Sequence, residues 1–126
     1  IHICDDGSTD GTIAIAKEYA DDEDAFSKKI YDVIGAGVGI IESVPAAVSI
    51  AYYTQDPNKC CLMCANLGGD TDTIGAMATA ICGAFVGYSK INPEYTELLR
   101  VQNPETDFEE YINILEKGRE LLGCGR

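Results

Sequence analysis

Apolar residues recur at helical spacing along most of this chain, and alternation in twos is nearly absent. In "DAFSKKIYDVIGAG", Phe26, Ile30, Val33 and Ile34 fall at i, i+4, i+7 and i+8, and the glycines from Gly35 to Gly39 stop the helix. Upstream, "STDGTIAIAKEYADD" offers hydroxyl and carboxylate caps ahead of Ile13, Ala14, Ala16 and Ala20. "GIIESVPAAVSIAYYTQ" reads as a buried helix with a proline in its early part. "DPNKCCLMCANLGG" follows, with Pro57 suited to a first turn and Gly68 to a stop. Residues 71–88 read as helix, ended by Gly87. "NPEYTELLRV" and "NPETDFEEYINILEKGRELLG" each open on Asn-Pro, which predicts a cap and then proline in the first turn. The second places Phe108, Tyr111, Ile112, Leu115 and Leu122 along one side. Only "IHIC" looks like a strand. No repeat, low-complexity tract or linker interrupts the pattern. The expected class is all-α, a bundle of six or seven helices.

The 126 residues suit one domain, and a hydrophobic fraction of 46% is not that of a disordered chain. A formal net charge of −12 argues against non-specific binding to nucleic acid or an anionic membrane, both of which need a basic patch. It is compatible with a site that concentrates divalent cations, although charge alone reads as a device for solubility. No apolar run approaches the ~20 residues of a membrane span. The most apolar segment is broken by Glu42 and Pro45. A cytoplasmic chain with no nucleic-acid or membrane partner is the expectation. It opens on Ile1 rather than Met, which reads as a portion of something longer.

Cysteines stand at 4, 60, 61, 64, 82 and 124. "CLMC" matches C-x-x-C, but no second pair has zinc spacing and the single histidine, His2, is remote. Cys60 and Cys64 are one helical turn apart, so free cysteines buried in a helix are the expected reading.

"ICDDGSTDGT" supports three readings. It is similar to the strand end of many nucleotide-sugar glycosyltransferases, where carboxylates meet the uridine and a metal. It also sets Asp6, Ser8, Asp10 and Gly11 at calcium-loop positions, but Lys17 then stands where a bidentate glutamate belongs. The third reading is a polar turn that caps the next helix, and it carries the most weight. The glycosyltransferase is the runner-up.

"GGDTDTIGAMATAICGA", residues 68–84, carries the strongest candidate chemistry. Gly68 and Gly69 permit a tight turn of positive φ. Asp70 and Thr71 can cap the helix beside them. Asp70, Asp72 and Thr73 bring two carboxylates and a hydroxyl together, a hard-oxygen set suited to Mg²⁺ or Mn²⁺. Two carboxylates that close repel unless a cation lies between them. A helix N-terminus alone already favours one acid, so a capping turn with a spare aspartate competes with the metal reading. Behind the turn, Gly75, Ala76, Ala78, Ala80, Gly83 and Ala84 leave little side chain on most of the helix surface. Glycine in a helix costs ~1 kcal/mol relative to alanine, which is tolerable where other helices approach closely.

"ANLGGDTDTIGAMATAICGAFVG" resembles the signature of the ADP-ribosylglycohydrolase family, which includes the enzyme that reactivates dinitrogenase reductase. "GAGVGIIESVPAAVSIAY", through Glu42, Ser43, Val44, Pro45, Ala46 and Ala47, and the ending from "NPEYTELLRVQN" are similar to segments of the same family. The resemblance covers roughly residues 30–122. It implies an all-α fold holding two metal ions, usually Mg²⁺, and hydrolysis of the bond from a ribose anomeric carbon to a protein side chain or small leaving group. Asp70, Asp72 and Thr73 match the carboxyl-terminal ligand set, with Asp72 as the bridge between metals. The substrate implied is an ADP-ribosylated protein or a small ribosyl compound. Family members are longer. Their other ligand set, a threonine followed by two aspartates, and the acid that activates water lie in an amino-terminal part that "DDGST" does not replace. The chain is thus expected to be a carboxyl-terminal portion holding about half of a two-metal site, with no catalytic residue of its own and negligible activity alone. The alternative within the same fold is a binding or structural remnant that has lost the chemistry.

Overall fold

A computed structural model describes residues 22–123. The "IHIC" strand, the helix expected after "STDGT", the "DDGSTDGT" turn, His2, Cys4 and Cys124 lie outside the described residues. Within them the chain forms α1 (Glu23–Lys29), α2 (Ile40–Thr54), α3 (Pro57–Leu67), α4 (Thr71–Val86), α5 (Pro93–Gln102) and α6 (Phe108–Leu121). A π-helical turn, Ile30–Ile34, extends α1, and a short 3₁₀ turn, Tyr88–Lys90, follows α4. No strand occurs among the described residues, so the all-α expectation holds. Among those residues no helix is long and apolar enough to cross a membrane.

Local chemistry explains where these helices start. The Asp22 side chain accepts from the Ala25 N–H at 2.9 Å, and Asp56 accepts from Asn58 and Lys59 at 2.8 and 3.2 Å, with Pro57 in the first turn. Each supplies an acceptor to N–H groups that the helix itself leaves unsatisfied. Pro45 lies inside α2, one turn beyond its start, and leaves the Ile41 carbonyl without its i+4 donor. Gln55, at φ +48°, closes α2 in the left-handed conformation.

The described residues up to Ile91 form one compact unit. Phe26, Ile30, Ile50, Ile74, Cys60, Cys64 and Cys82 are its largest wholly buried apolar side chains. Phe26 also stacks on Tyr53, the ring centroids 4.0 Å apart and the planes 9° from parallel. α4 packs chiefly against α3 and α2. It does so along one face, since Ile74, Ala78 and Cys82 are buried at successive i+4 steps. Gly75 lets Cys64 come close, a Cβ there lying 3.4 Å from the cysteine Cβ. The small residues were expected to let other helices approach, and among the described residues that approach is along this face. Ala76, Ala80 and Ala84 are exposed, and nothing lies within 4 Å of a Cβ on Gly83. Val33 also departs from its apolar face: it is exposed, because the π turn shifts the register of residues 30–34.

Asn92–Arg126 form the second unit. The Asn92 side chain caps α5, accepting from the Glu94 N–H at 3.0 Å, and Pro93 takes the first turn as expected. The second Asn-Pro pair behaves otherwise. The Asn103 amide donates to the Leu99 carbonyl at 2.8 Å and closes α5, while Asp107, accepting from the Glu110 N–H at 2.9 Å, caps α6. α6 therefore starts at Phe108, because a side chain four positions further on makes the cap. Tyr111, Ile112 and Leu115 are all exposed, and no residue of α5 or α6 is buried.

Candidate functional site

Two glycine-bearing loops meet at the start of α4. Gly68 and Gly69 hold φ of +86° and +73°, a region open to glycine at little steric cost. They swing the backbone so that the Asp70 N–H donates to the Ala36 carbonyl at 2.7 Å. A Cβ on Gly69 would run into that same carbonyl. Ala36 belongs to the "GAGVG" loop between α1 and α2 and is buried. The loop is held from the far side by Glu42, whose Oε2 accepts from the Gly37 N–H at 2.8 Å. Tyr31 lies beside the turn, its ring edge 3.3 Å from where a Gly68 Cβ would be.

Asp70, Asp72 and Thr73 fall within four residues on this turn and the first turn of α4. Asp72 and Thr73 are exposed, and Asp70 is half-buried. Asp70 occupies the cap position, yet its side chain makes no capping hydrogen bond. The expected capping role of Asp70 and Thr71 is therefore not what the structure builds: Thr71 is the first residue of the helix, and the Asp70 carboxylate accepts no N–H of it. That carboxylate lies beside Asp72. Hydrogen bonding with the Asp70 side chain, then with the N–H groups of Thr73 and of Asp72 itself, holds the Asp72 carboxyl below the usual range. One of those contacts is a Thr73 N–H donating to Asp72 Oδ1 at 2.9 Å. Ile74, wholly buried one residue further on, anchors the turn to the core.

Two carboxylates and a hydroxyl on one exposed turn can share a hard cation. They do not surround one: no group of three His, Cys, Asp or Glu side chains among the described residues could hold a metal ion. The donor chemistry of the turn fits Mg²⁺ or Mn²⁺ as part of a coordination shell.

The description ADP-ribosylglycohydrolase fits the sequence over residues 5–122. The chain belongs to the ADP-ribosylglycohydrolase family. The family match starts at Asp5 and takes in "DDGSTDGT" itself, the one stretch on which a glycosyltransferase reading rested. An uncharacterized protein of Escherichia coli strain K12, YegU, is 50% identical over 102 residues, covering 80% of this chain and 30% of that protein. The ADP-ribosylhydrolase ARH3 of Xenopus tropicalis is 36% identical over 80 residues, 55% of this chain and 23% of its own length. The ADP-ribosylarginine hydrolase Tri1 of Serratia proteamaculans is 30% identical over 96 residues, 66% of this chain and 26% of its own. The chain thus spans under a third of the length of these relatives. No solved structure matches.

Four thiols lie on α3 and α4. Cys60, Cys64 and Cys82 are buried and free, as expected of helix-borne core cysteines, while Cys61 is exposed. Burial pushes the Cys82 thiol up to about 11, and contact with Cys64, with burial behind it, raises Cys60 further. Cys60 and Cys82, protonated and buried, are poor nucleophiles. Sequence reasoning placed Glu42 only within a family segment and did not see that it folds back on the glycine loop. The available signal was a carboxylate five residues after Gly37, at the start of a helix without a polar cap.

Proposed function

We propose that this chain supplies the Asp70–Asp72–Thr73 half of a divalent-cation site in a hydrolase of ADP-ribosyl or related ribosyl glycosidic bonds. The observation that carries the reading is the Asp70 carboxylate. Every other Asp or Asn at a helix start among the described residues accepts a backbone N–H, whereas Asp70 makes no such bond and lies against Asp72. Two carboxylates held side by side on one turn offer a hard cation oxygens from both residues. The names of ARH3 and Tri1 support the ADP-ribosyl class of substrate. Mg²⁺ is the first choice of metal, with Mn²⁺ able to replace it.

Bound there, the cation would supply Lewis-acid stabilisation of charge developing at the sugar and orient a water. The chain's own residues have simpler tasks. Asp70 and Asp72 present charged oxygens, Thr73 adds a neutral one, and the Ala36 carbonyl fixes the backbone that carries them. The rest of the shell and the acid that activates water come from the remainder of a longer polypeptide, so this chain by itself turns over no substrate. The test is turnover of an ADP-ribosylated peptide by the complete polypeptide, with and without chelator. Asp72→Ala should remove activity, and Mg²⁺ should restore the chelated wild type. Near-normal turnover by Asp72→Ala sinks the reading in favour of a remnant that only binds.

A further inference from the structure

We infer that Glu42 is a positioning residue for Asp70, acting through the backbone of residues 35–37; this rests on the metal-site reading above. Glu42 is outside the ligand set, on the first turn of α2. Its Oε2 accepts from the Gly37 N–H at 2.8 Å. A Cβ built on Gly35 or Gly37 would fall 2.5 or 2.7 Å from that same oxygen. The carboxylate therefore lies flat on the loop, in space that only glycines leave open. Between those glycines sits Ala36, and its carbonyl accepts from the Asp70 N–H at 2.7 Å. The connection is continuous: Glu42 fixes Gly37, the loop fixes the direction of the Ala36 carbonyl, and the carbonyl fixes the backbone of Asp70.

The turn needs that support. Gly68 and Gly69 give it freedom of φ and no side chain to hold it, and Asp70 makes no cap bond. A ligand turn left loose presents its oxygens over a range of positions, and coordination requires them within about half an ångström. The competing view is that Glu42 is a first-turn acid that only favours the α2 dipole. That view predicts an effect on α2 and none at Asp70.

The experiment uses the complete polypeptide. Amide hydrogen exchange is followed by NMR without metal, and then Mn²⁺ is titrated while broadening of the Asp72 and Thr73 amides is read. In Glu42→Ala the Gly37 and Asp70 amides should exchange about tenfold faster, the loss of one charge-assisted hydrogen bond, with the buried Ile50 amide within about twofold of wild type. Glu42→Gln keeps a carbonyl oxygen in place and should restore the wild-type rates. Gly37→Ala, which pushes the carboxylate off the loop, should reproduce Glu42→Ala at Asp70. Half-broadening should need several-fold more Mn²⁺ in both Glu42→Ala and Gly37→Ala.

Unchanged exchange at Asp70 in Glu42→Ala overturns the inference. So does equal acceleration at Ile50, which would make Glu42 a residue of general stability. If Glu42→Ala does not fold, Gly37→Ala decides, and wild-type exchange at Asp70 in that variant overturns the inference. A wild-type complete polypeptide that takes up no Mn²⁺ counts against the metal reading alone, because the Asp70 exchange rates are measured without metal.

Discussion

At the start of α3 the Asp56 carboxylate turns back on its own helix and accepts from Asn58 and Lys59; at the start of α4 the Asp70 carboxylate does not. The two residues hold the same position before successive helices. Their backbones differ. Asp56 is extended, at φ −140° and ψ 119°, the conformation from which a side chain reaches the second and third N–H groups. Asp70 sits at ψ 61°, below the 87° to 120° of the four residues that do cap. Two glycines and the Ala36 carbonyl hold it there. Where the cap is made, the carboxylate serves the fold. Where a neighbouring loop takes over the backbone, the carboxylate becomes available to a ligand.

The largest expected effect separates the two turns by activity. In the complete polypeptide, Asp70→Ala should cut turnover by more than the 10- to 100-fold typical of outer-shell changes, roughly, while Asp56→Ala leaves it within about twofold. Steady-state rates at saturating Mg²⁺ check this, and equal losses would dissolve the distinction. Gly69→Ala should break the Asp70 turn itself. Positive φ and collision with the Ala36 carbonyl together cost about 1–3 kcal/mol or more, read as a lowered denaturation midpoint. An Asp70 amide that still exchanges slowly in that variant would show that another contact holds the turn.

Stability should reverse the order seen in activity. Asp56→Ala loses a cap worth about 1 kcal/mol. Asp70→Ala, with no cap to lose, should unfold at or above the wild-type midpoint without metal. The smallest effect is in pH. The N–H groups of Lys59 and Asn58 hold the Asp56 carboxyl below its ordinary 3.8. A depressed folded value adds stability that is complete above the unfolded value and is lost as pH falls through the folded one. The gap in midpoint between wild type and Asp56→Ala should therefore be constant near neutrality and shrink below about pH 4, a window set by the carboxylate reference value. A gap that widens on acidification would reverse the sign and exclude the cap as its source.

Much of the helical architecture was legible because each helix carries its own signals. Asp56-Pro57 and Asn92-Pro93 start helices through local geometry alone, and Gly87 ends one, so spacing in the sequence was enough. The second Asn-Pro was misread because Asn103 had two uses nearby, and the Leu99 carbonyl won it. Periodicity located Phe26 and Ile30 in the core but not the exposure of Val33, which depends on a π turn. The cluster of Asp70, Asp72 and Thr73 was visible as composition.

What the sequence determined by itself was therefore local: helix class, most boundaries, the buried cysteines and the density of hard oxygens on one turn. Family membership also rested on linear motif. The tertiary structure decided which aspartate is a cap and which is not. That choice depends on Ala36 reaching a residue 34 positions away, held in place by Glu42. It decided as well which face of the small-residue helix the other described helices cover. Both outcomes come from contacts between segments distant in the chain, and a pattern read along the chain carries no measure of those distances.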